Sequence, residues 1–205
     1  MERQHYWEQV YSTKADDEVS WTQPEPQPSL SLIAQVTPAG RVIDVGGGSS
    51  PLAGRLLDAG YAVAVLDISQ VALDRARLKL GRRGDAVTWI AGDLTKIDSV
   101  GVFDVWHDRA VFHFLTEQAD RKRYADLLRR TVPVGGHAVV ATFAMDGPEK
   151  CSGLEVVRYE GPSLRRELGP GLCLLKTVAE THLTPWGGRQ SFQYSVFKRT
   201  EQALP

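Results

Sequence analysis

Cysteine is scarce: the 205 residues hold only Cys151 and Cys173. Two thiols cannot build a disulfide framework or a four-cysteine zinc site. Charge of one sign is missing too. Lys and Arg total 24 against 25 Asp and Glu, for a net charge of -1, which removes the bulk electrostatic case for a nucleic-acid partner. No run is long and apolar enough to span a bilayer. The opening residues Met1-Glu2-Arg3-Gln4-His5 lack the basic-then-apolar layout of a signal peptide. A soluble cytoplasmic protein without nucleic-acid or membrane partners is the expectation. No internal repeat or low-complexity tract stands out. What is present is ordinary globular composition, 42% apolar and 24% charged, in a length that suits one domain with a short appendage.

Pro24, Pro26 and Pro28 at alternate positions forbid a regular helix there and mark a boundary. Residues 1–28 read as an N-terminal arm or lid, and residues 29–205 as the main domain. The arm carries Tyr6, Trp7, Tyr11 and Trp21. Trp7 and Tyr11 share a face if the arm is helical, either as a staple on the domain or as a lid over a ligand.

From Ser29 helix and strand alternate. The predicted strands are Arg41–Val45, Ala62–Leu66, Val87–Ala91, Val102–Trp106 and His137–Phe143. Ser49-Ser50-Pro51 opens one helix, Ser69 caps a second, and Thr116 caps a third with Tyr124, Leu127 and Leu128 inward. A short helix is expected near Ser163–Leu168. Leu172–Val178 and Ser191–Phe197, joined by a Gly/Pro loop, read as an antiparallel pair at the sheet edge. The fold class is α/β: a doubly wound, mostly parallel seven-stranded sheet with an antiparallel C-terminal edge hairpin and helices on both faces.

The informative stretch is Val42-Ile43-Asp44-Val45-Gly46-Gly47-Gly48-Ser49-Ser50-Pro51. A strand runs into a glycine-rich turn and a capped helix, where backbone N–H groups can approach a ligand. Asp67 follows strand two, placed to hold ribose hydroxyls. Ala91-Gly92-Asp93-Leu94 closes strand three. Counting from Gly46, the dinucleotide fingerprint fails at Pro51. No phosphate-loop motif is present, which argues against a nucleoside triphosphatase.

This order of motifs resembles the class I S-adenosylmethionine-dependent methyltransferases, a Rossmann-like family, over roughly residues 40–143. Asp44, Gly46 and Gly48 match its first motif, with Ser50 in place of the third glycine. The resemblance implies that Asp67 binds the ribose and that Asp93 and Leu94 contact the adenine. Phe103-Asp104-Val105-Trp106-His107-Asp108 is similar to the fourth motif. The cofactor-binding set it implies is Trp7, Tyr11, Trp21, Asp44, Gly46, Gly48, Asp67, Ile68, Gly92, Asp93, Leu94 and His107. The implied cofactor is S-adenosyl-L-methionine, with S-adenosyl-L-homocysteine as product, and no metal. The implied reaction is in-line methyl transfer to a small-molecule thiol, amine, hydroxyl or carboxylate. A protein lysine is the alternative acceptor, since Asp108–Leu115 is similar to a segment of lysine methyltransferases with Ala110 where those carry glycine. An NAD(P)-dependent oxidoreductase is the second alternative.

The densest polar cluster follows strand four. In the functional reading His107 and Asp108 are catalytic, positioning or deprotonating the acceptor, while Arg109, His113, Arg158 and Trp186 hold substrate. In the structural reading Asp108 and Arg109 neutralise each other and cap the next helix, and His113 is packing. Cys151 and Tyr159 are possible wall residues. His107, Asp108, His113 and His182 lack metal-ligand spacing.

Overall fold

A computed structural model describes residues 3–201. The expected arm and domain limits at residues 1–2 and 202–205 therefore lie outside the described residues. Helices α1 (Arg3–Thr13) and α2 (Ser29–Val36) precede an alternating series. The series is β1 (Arg41–Val45), α3 (Leu52–Asp58), β2 (Ala62–Asp67), α4 (Gln70–Leu80), β3 (Val87–Ala91), β4 (Val105–Arg109), α5 (Gln118–Thr131) and β5 (His137–Phe143). Then come a small hairpin of β6 (Lys150–Cys151) and β7 (Leu154–Glu155), helix α6 (Gly161–Leu168), and the long strands β8 (Leu172–Leu183) and β9 (Arg189–Arg199).

The seven-stranded sheet runs β3-β2-β1-β4-β5-β9-β8. The first five strands in that order are parallel, and β9 and β8 add antiparallel. Successive residues of a strand face opposite sides, so β1 feeds two cores. Ile43 and Val45 join Trp106, Tyr124, Leu128 and Leu164 under α5 and α6. Val42 joins Leu32, Leu56, Val65 and Leu73 under α2, α3 and α4. Strand order reverses between β1 and β4, where doubly wound folds leave a crevice at the carboxyl ends of the strands.

The element limits depart from the sequence expectation in three places. β4 starts at Val105 and ends at Arg109, three residues later than expected. Asp104 is used before the strand begins: its carboxylate accepts from Arg41 N at 2.7 Å. As a result His107 and Asp108 lie within the strand, paired to Asp44 and Val45. The pairing of β8 and β9 extends out to Leu183 and Arg189, so the hairpin loop sits further along. Helix α5 is capped at Glu117 instead of Thr116.

Inside the sheet, Trp106 Nε1 donates to Tyr124 Oη at 2.8 Å, and Tyr124 Oη donates to Asp108 at 2.7 Å. Tyr124→Phe strands the indole N–H and removes one donor from a buried carboxylate. It should cost about 1–3 kcal/mol, read as a drop in the urea-unfolding free energy; unchanged stability would contradict this account.

Candidate active site

β1 ends in a turn that only glycine fits. Gly46 and Gly48 have φ of +65° and +50°, where side chains are strained. A Cβ at Gly46 would collide with Val111, and one at Gly48 would stand 2.5 Å from Tyr11 Oη. The turn is bound to the neighbouring strand exit by one carboxylate. Gly48 N donates to Asp67 Oδ2 and Ser69 N to Oδ1, both at 2.8 Å. Burial pushes the Asp67 carboxyl up to about 6, against the lowering effect of those two N–H groups. Each oxygen still has a lone pair to offer a ligand hydroxyl.

At the next strand exit Gly92 N donates to Asp67 O. Asp93 accepts from Thr95 N and Oγ1 at 2.9 and 2.7 Å. Partial burial works to raise the Asp93 carboxyl, but these bonds and the charges of Arg3 and Lys96 hold it below its ordinary value.

α1 lies over this end of the sheet and is anchored along its length. Arg3 pairs with Asp120 at 2.6 Å and approaches Asp93 at 3.7 Å. Glu8 caps α4, accepting from Ser69 Oγ at 2.9 Å and Gln70 N at 2.8 Å, a favourable place for a negative charge. Tyr6 Oη donates to Ser152 O. Trp7 packs edge-on against Trp21 and Phe114.

These pieces enclose a cleft with about 770 Å³ of empty space, its open mouth included. Of the expected cofactor residues, Trp7, Tyr11, Trp21, Gly46, Asp67, Ile68, Gly92, Asp93 and Leu94 line it. Asp44, Gly48 and His107 do not. Gly48 supports the wall through Asp67. Asp44 and His107 line a second cavity of about 1370 Å³ on the α3 side, which shares Tyr11, Trp21, Gly46 and Arg109 with the first.

The polar residues of β4 part company. Asp108 is 0% exposed and lines neither cavity. Its oxygens accept from Val111 N at 2.8 Å, Phe112 N at 3.0 Å and Tyr124 Oη at 2.7 Å. The carboxyl is therefore spent on holding the turn after β4, and it does not reach an acceptor. Burial pushes it up to about 6, with the Tyr124 bond opposing. His107 is also buried, its Nδ1 donating to Asp44 Oδ1 at 2.7 Å and its Nε2 2.9 Å from Ser29 Oγ. Both ring nitrogens are committed, so it offers no free base to the cleft. Arg109 does line the cleft.

The other expected substrate residues lie elsewhere. His113 is fully buried between the rings of Phe114 and Phe143. Its Nδ1 accepts from Phe143 N at 3.3 Å, and burial pushes the imidazole down to about 3. Arg158 binds Glu149 and Gly147 O, and Trp186 is the exposed tip of the β8–β9 hairpin. Tyr159 packs against Phe112 in the core. Cys151 lines the cleft, and burial pushes its thiol up to about 11. Among the described residues no three His, Cys, Asp or Glu side chains form a metal-holding group, and no helix is long and apolar enough to cross a membrane.

Several wall residues had no sequence signal: Arg3, Val111 and Leu115 are ordinary residues brought in by the fold. Ala110 had one. It holds φ +73°, a left-handed conformation costing about 1–2 kcal/mol for a residue with a Cβ, at the position where the similar lysine-methyltransferase segment carries glycine.

A family model described as a methyltransferase domain matches residues 42–136. Those residues carry the glycine turn, Asp67 and Asp93, and the chain has a methyltransferase domain there. Solved structures with the same fold surround it. One comes from work on the conversion of a disulfide bond into a thioacetal group during echinomycin biosynthesis, with TM-score 0.79, 20% identity and coverage of 96% of this chain and 91% of that one. Another is the 1,6-didemethyltoxoflavin-N1-methyltransferase of Burkholderia thailandensis (TM-score 0.69, 18% identity, coverage 96% and 84%). A third is the N-methyltransferase NodS of Bradyrhizobium japonicum WM9 with S-adenosyl-L-homocysteine (TM-score 0.73, 15% identity, coverage 95% and 98%).

The cleft fits S-adenosylmethionine, the cofactor that the sequence resemblance implies. The backbone of Gly46 forms part of its wall, a carboxylate with spare lone pairs lies beside the turn, and Ile68 and Leu94 add apolar surface.

Asp67 and Asp108 hold protons when folded that the unfolded chain releases near 3.8. Each contributes stability in full below about pH 4, and that contribution is lost as the pH rises through about 6. His113 acts in the opposite sense over the same range and is common to all three proteins, so between about pH 4 and 6 the urea-unfolding free energy should fall more, or rise less, in the wild type than in Asp67→Asn or Asp108→Asn. An equal slope in all three proteins refutes the assignment.

Proposed function

We propose that the chain is an S-adenosylmethionine-dependent methyltransferase that acts on a small-molecule acceptor in the cleft under α1. The observation that carries the reading is the arm. Three aromatic side chains from the chain's own N-terminal segment, Trp7, Tyr11 and Trp21, wall the cleft alongside the glycine turn and the β4 exit. The segment is tied to the domain through Arg3, Glu8 and Tyr6. An acceptor reached under such a wall is compact. The activities of structural neighbours, N1-methylation of 1,6-didemethyltoxoflavin among them, support the same class. A lysine ammonium is disfavoured by the guanidinium of Arg109 in the cleft wall.

The proposed roles follow from position. Asp67 accepts from the ribose hydroxyls, with its two backbone donors keeping the carboxylate oriented. Ile68, Gly92, Asp93 and Leu94 flank the adenine. Gly46 gives close backbone approach, and Gly48 supports it. The bound cofactor supplies an activated methyl group on a sulfonium. The aromatic wall of Trp7, Tyr11 and Trp21 favours a cation electrostatically and excludes water. The rest is orientation of an acceptor lone pair in line with the breaking bond. Neither Asp108 nor His107 touches the cleft, so an acceptor that must lose a proton gives it up without either as direct base.

Calorimetric titration with S-adenosylhomocysteine tests the placement. Asp67→Ala should weaken binding by about 1.5–3 kcal/mol per lost hydrogen bond, and Trp7→Ala should also weaken it while leaving the protein folded by circular dichroism. Unchanged affinity in Asp67→Ala would sink the ribose assignment. Unchanged affinity in Trp7→Ala would mean that the arm does not cover the cofactor.

A further inference from the structure

Arg109 is the least satisfied charged group in the wall. Its Nε donates to Tyr194 Oη and its Nη1 to Trp21 O, both at 3.0 Å. The guanidinium lies 4.4 Å over the Phe192 ring, and the side chain is only 10% exposed. Its Nη2 has no hydrogen-bond partner. Glu180 Oε2, also unpartnered, stands 3.9 Å away, too far for a hydrogen bond. Glu180 lines neither cavity, whereas Arg109 lines both. The residue is thus clamped by Tyr194, Trp21 and Phe192, with Nη2 buried opposite Glu180 as a long ion pair, and it still forms part of the cleft wall.

A buried donor of a charged group without an acceptor is costly, and an ionised acceptor is its strongest partner. Setting aside Arg3 and the residues given to the cofactor, the remaining cleft wall is Arg109, Cys151 and six apolar residues, Val111 and Phe114 among them. It offers apolar surface and a single cation. Arg3, the other cation of the cleft, is already bound to Asp120.

We propose that Arg109 is the specificity-determining residue for the acceptor, and that the acceptor is an apolar small molecule carrying a carboxylate, which pairs with the part of the Arg109 guanidinium at the cleft wall. The carboxylate serves as the handle that aims the molecule, and the methylated atom is elsewhere on it. This rests on the reading of the arm-covered cleft as the methyl-transfer site. Tyr194 is a positioning residue here: it touches the Nε edge and so holds the guanidinium against the wall.

The test uses the full-length protein saturated with S-adenosylhomocysteine, saturation being verified by titration for each variant. A panel of small aromatic and aliphatic carboxylates, each paired with its neutral amide, is scored by thermal shift and then by calorimetry. The wild type should bind the best carboxylates at least about tenfold more tightly than their amides, the scale of a charge-assisted hydrogen bond. Arg109→Gln should reduce that preference to about threefold or less, and Arg109→Lys should retain part of it. Arg109→Gln leaves Glu180 without its cation, so Arg109→Gln/Glu180→Gln is made alongside as a charge-balanced variant that must lose the preference too. Tyr194→Phe should narrow the preference without abolishing it. The proposal is overturned if amides bind as well as carboxylates, if no panel member of either kind binds, or if the double variant keeps the preference. Failure of the wild type to bind S-adenosylhomocysteine at all would instead remove the cofactor reading beneath it, and the proposal with it.

Discussion

Asp67 is where the two halves of the cofactor side are joined. Its carboxylate takes one backbone N–H from the turn after β1 and one from the turn after β2. That pair of bonds sets the spacing between the glycine turn and the start of α4. Ser69, one of the two donors, also caps α4 and accepts the reach of Glu8 from α1. The lie of the arm over the cleft is therefore referred back to the same carboxylate. Holding it there has a thermodynamic cost, visible as a carboxyl that keeps its proton to about 6, and the protein accepts that cost at the point where a ligand's hydroxyls are to be met.

Much of this was legible in the residues. Strand–turn–helix punctuation around Gly46–Pro51 and the acids Asp67 and Asp93 are local signals, and local signals survive folding. The fourth strand was misread because Val102 and Phe103 look like strand residues, while Asp104 is consumed by Arg41 N before the strand starts. A shift of three residues moved His107 and Asp108 from the loop after a strand into its interior. There a polar side chain must be satisfied by protein partners, and both are. Charge-bearing residues near a site look catalytic in sequence, and only the register tells which of them have been spent on holding the backbone. The same holds for His113, whose aromatic surroundings come from residues distant in the chain.

The residues that remain available are those with incomplete bonding. Arg109 follows directly on Asp108 and shares its strand, yet Asp108 is closed by three donors and lines no cavity, whereas Arg109 reaches the cleft wall. Ala110 then turns left-handed, which sends the chain across the cleft toward Val111 and Phe114. One strand end thus delivers, in successive residues, a buttress, a cation and a bend.

Gly48 and Tyr11 belong to different parts of the chain, and they occupy a single methyl-sized space. The hydroxyl of Tyr11 stands 2.5 Å from where a side chain at 48 would begin, closer than two such atoms can lie. The missing Cβ is thus claimed by the protein itself. An alanine at 48 is incompatible with the arm as it lies here, and a smaller residue at 11 would relax the steric veto while leaving the backbone strain. The glycine turn and the arm therefore form one unit of mutational dependence, and neither can be transplanted or altered as though the other were a separate module.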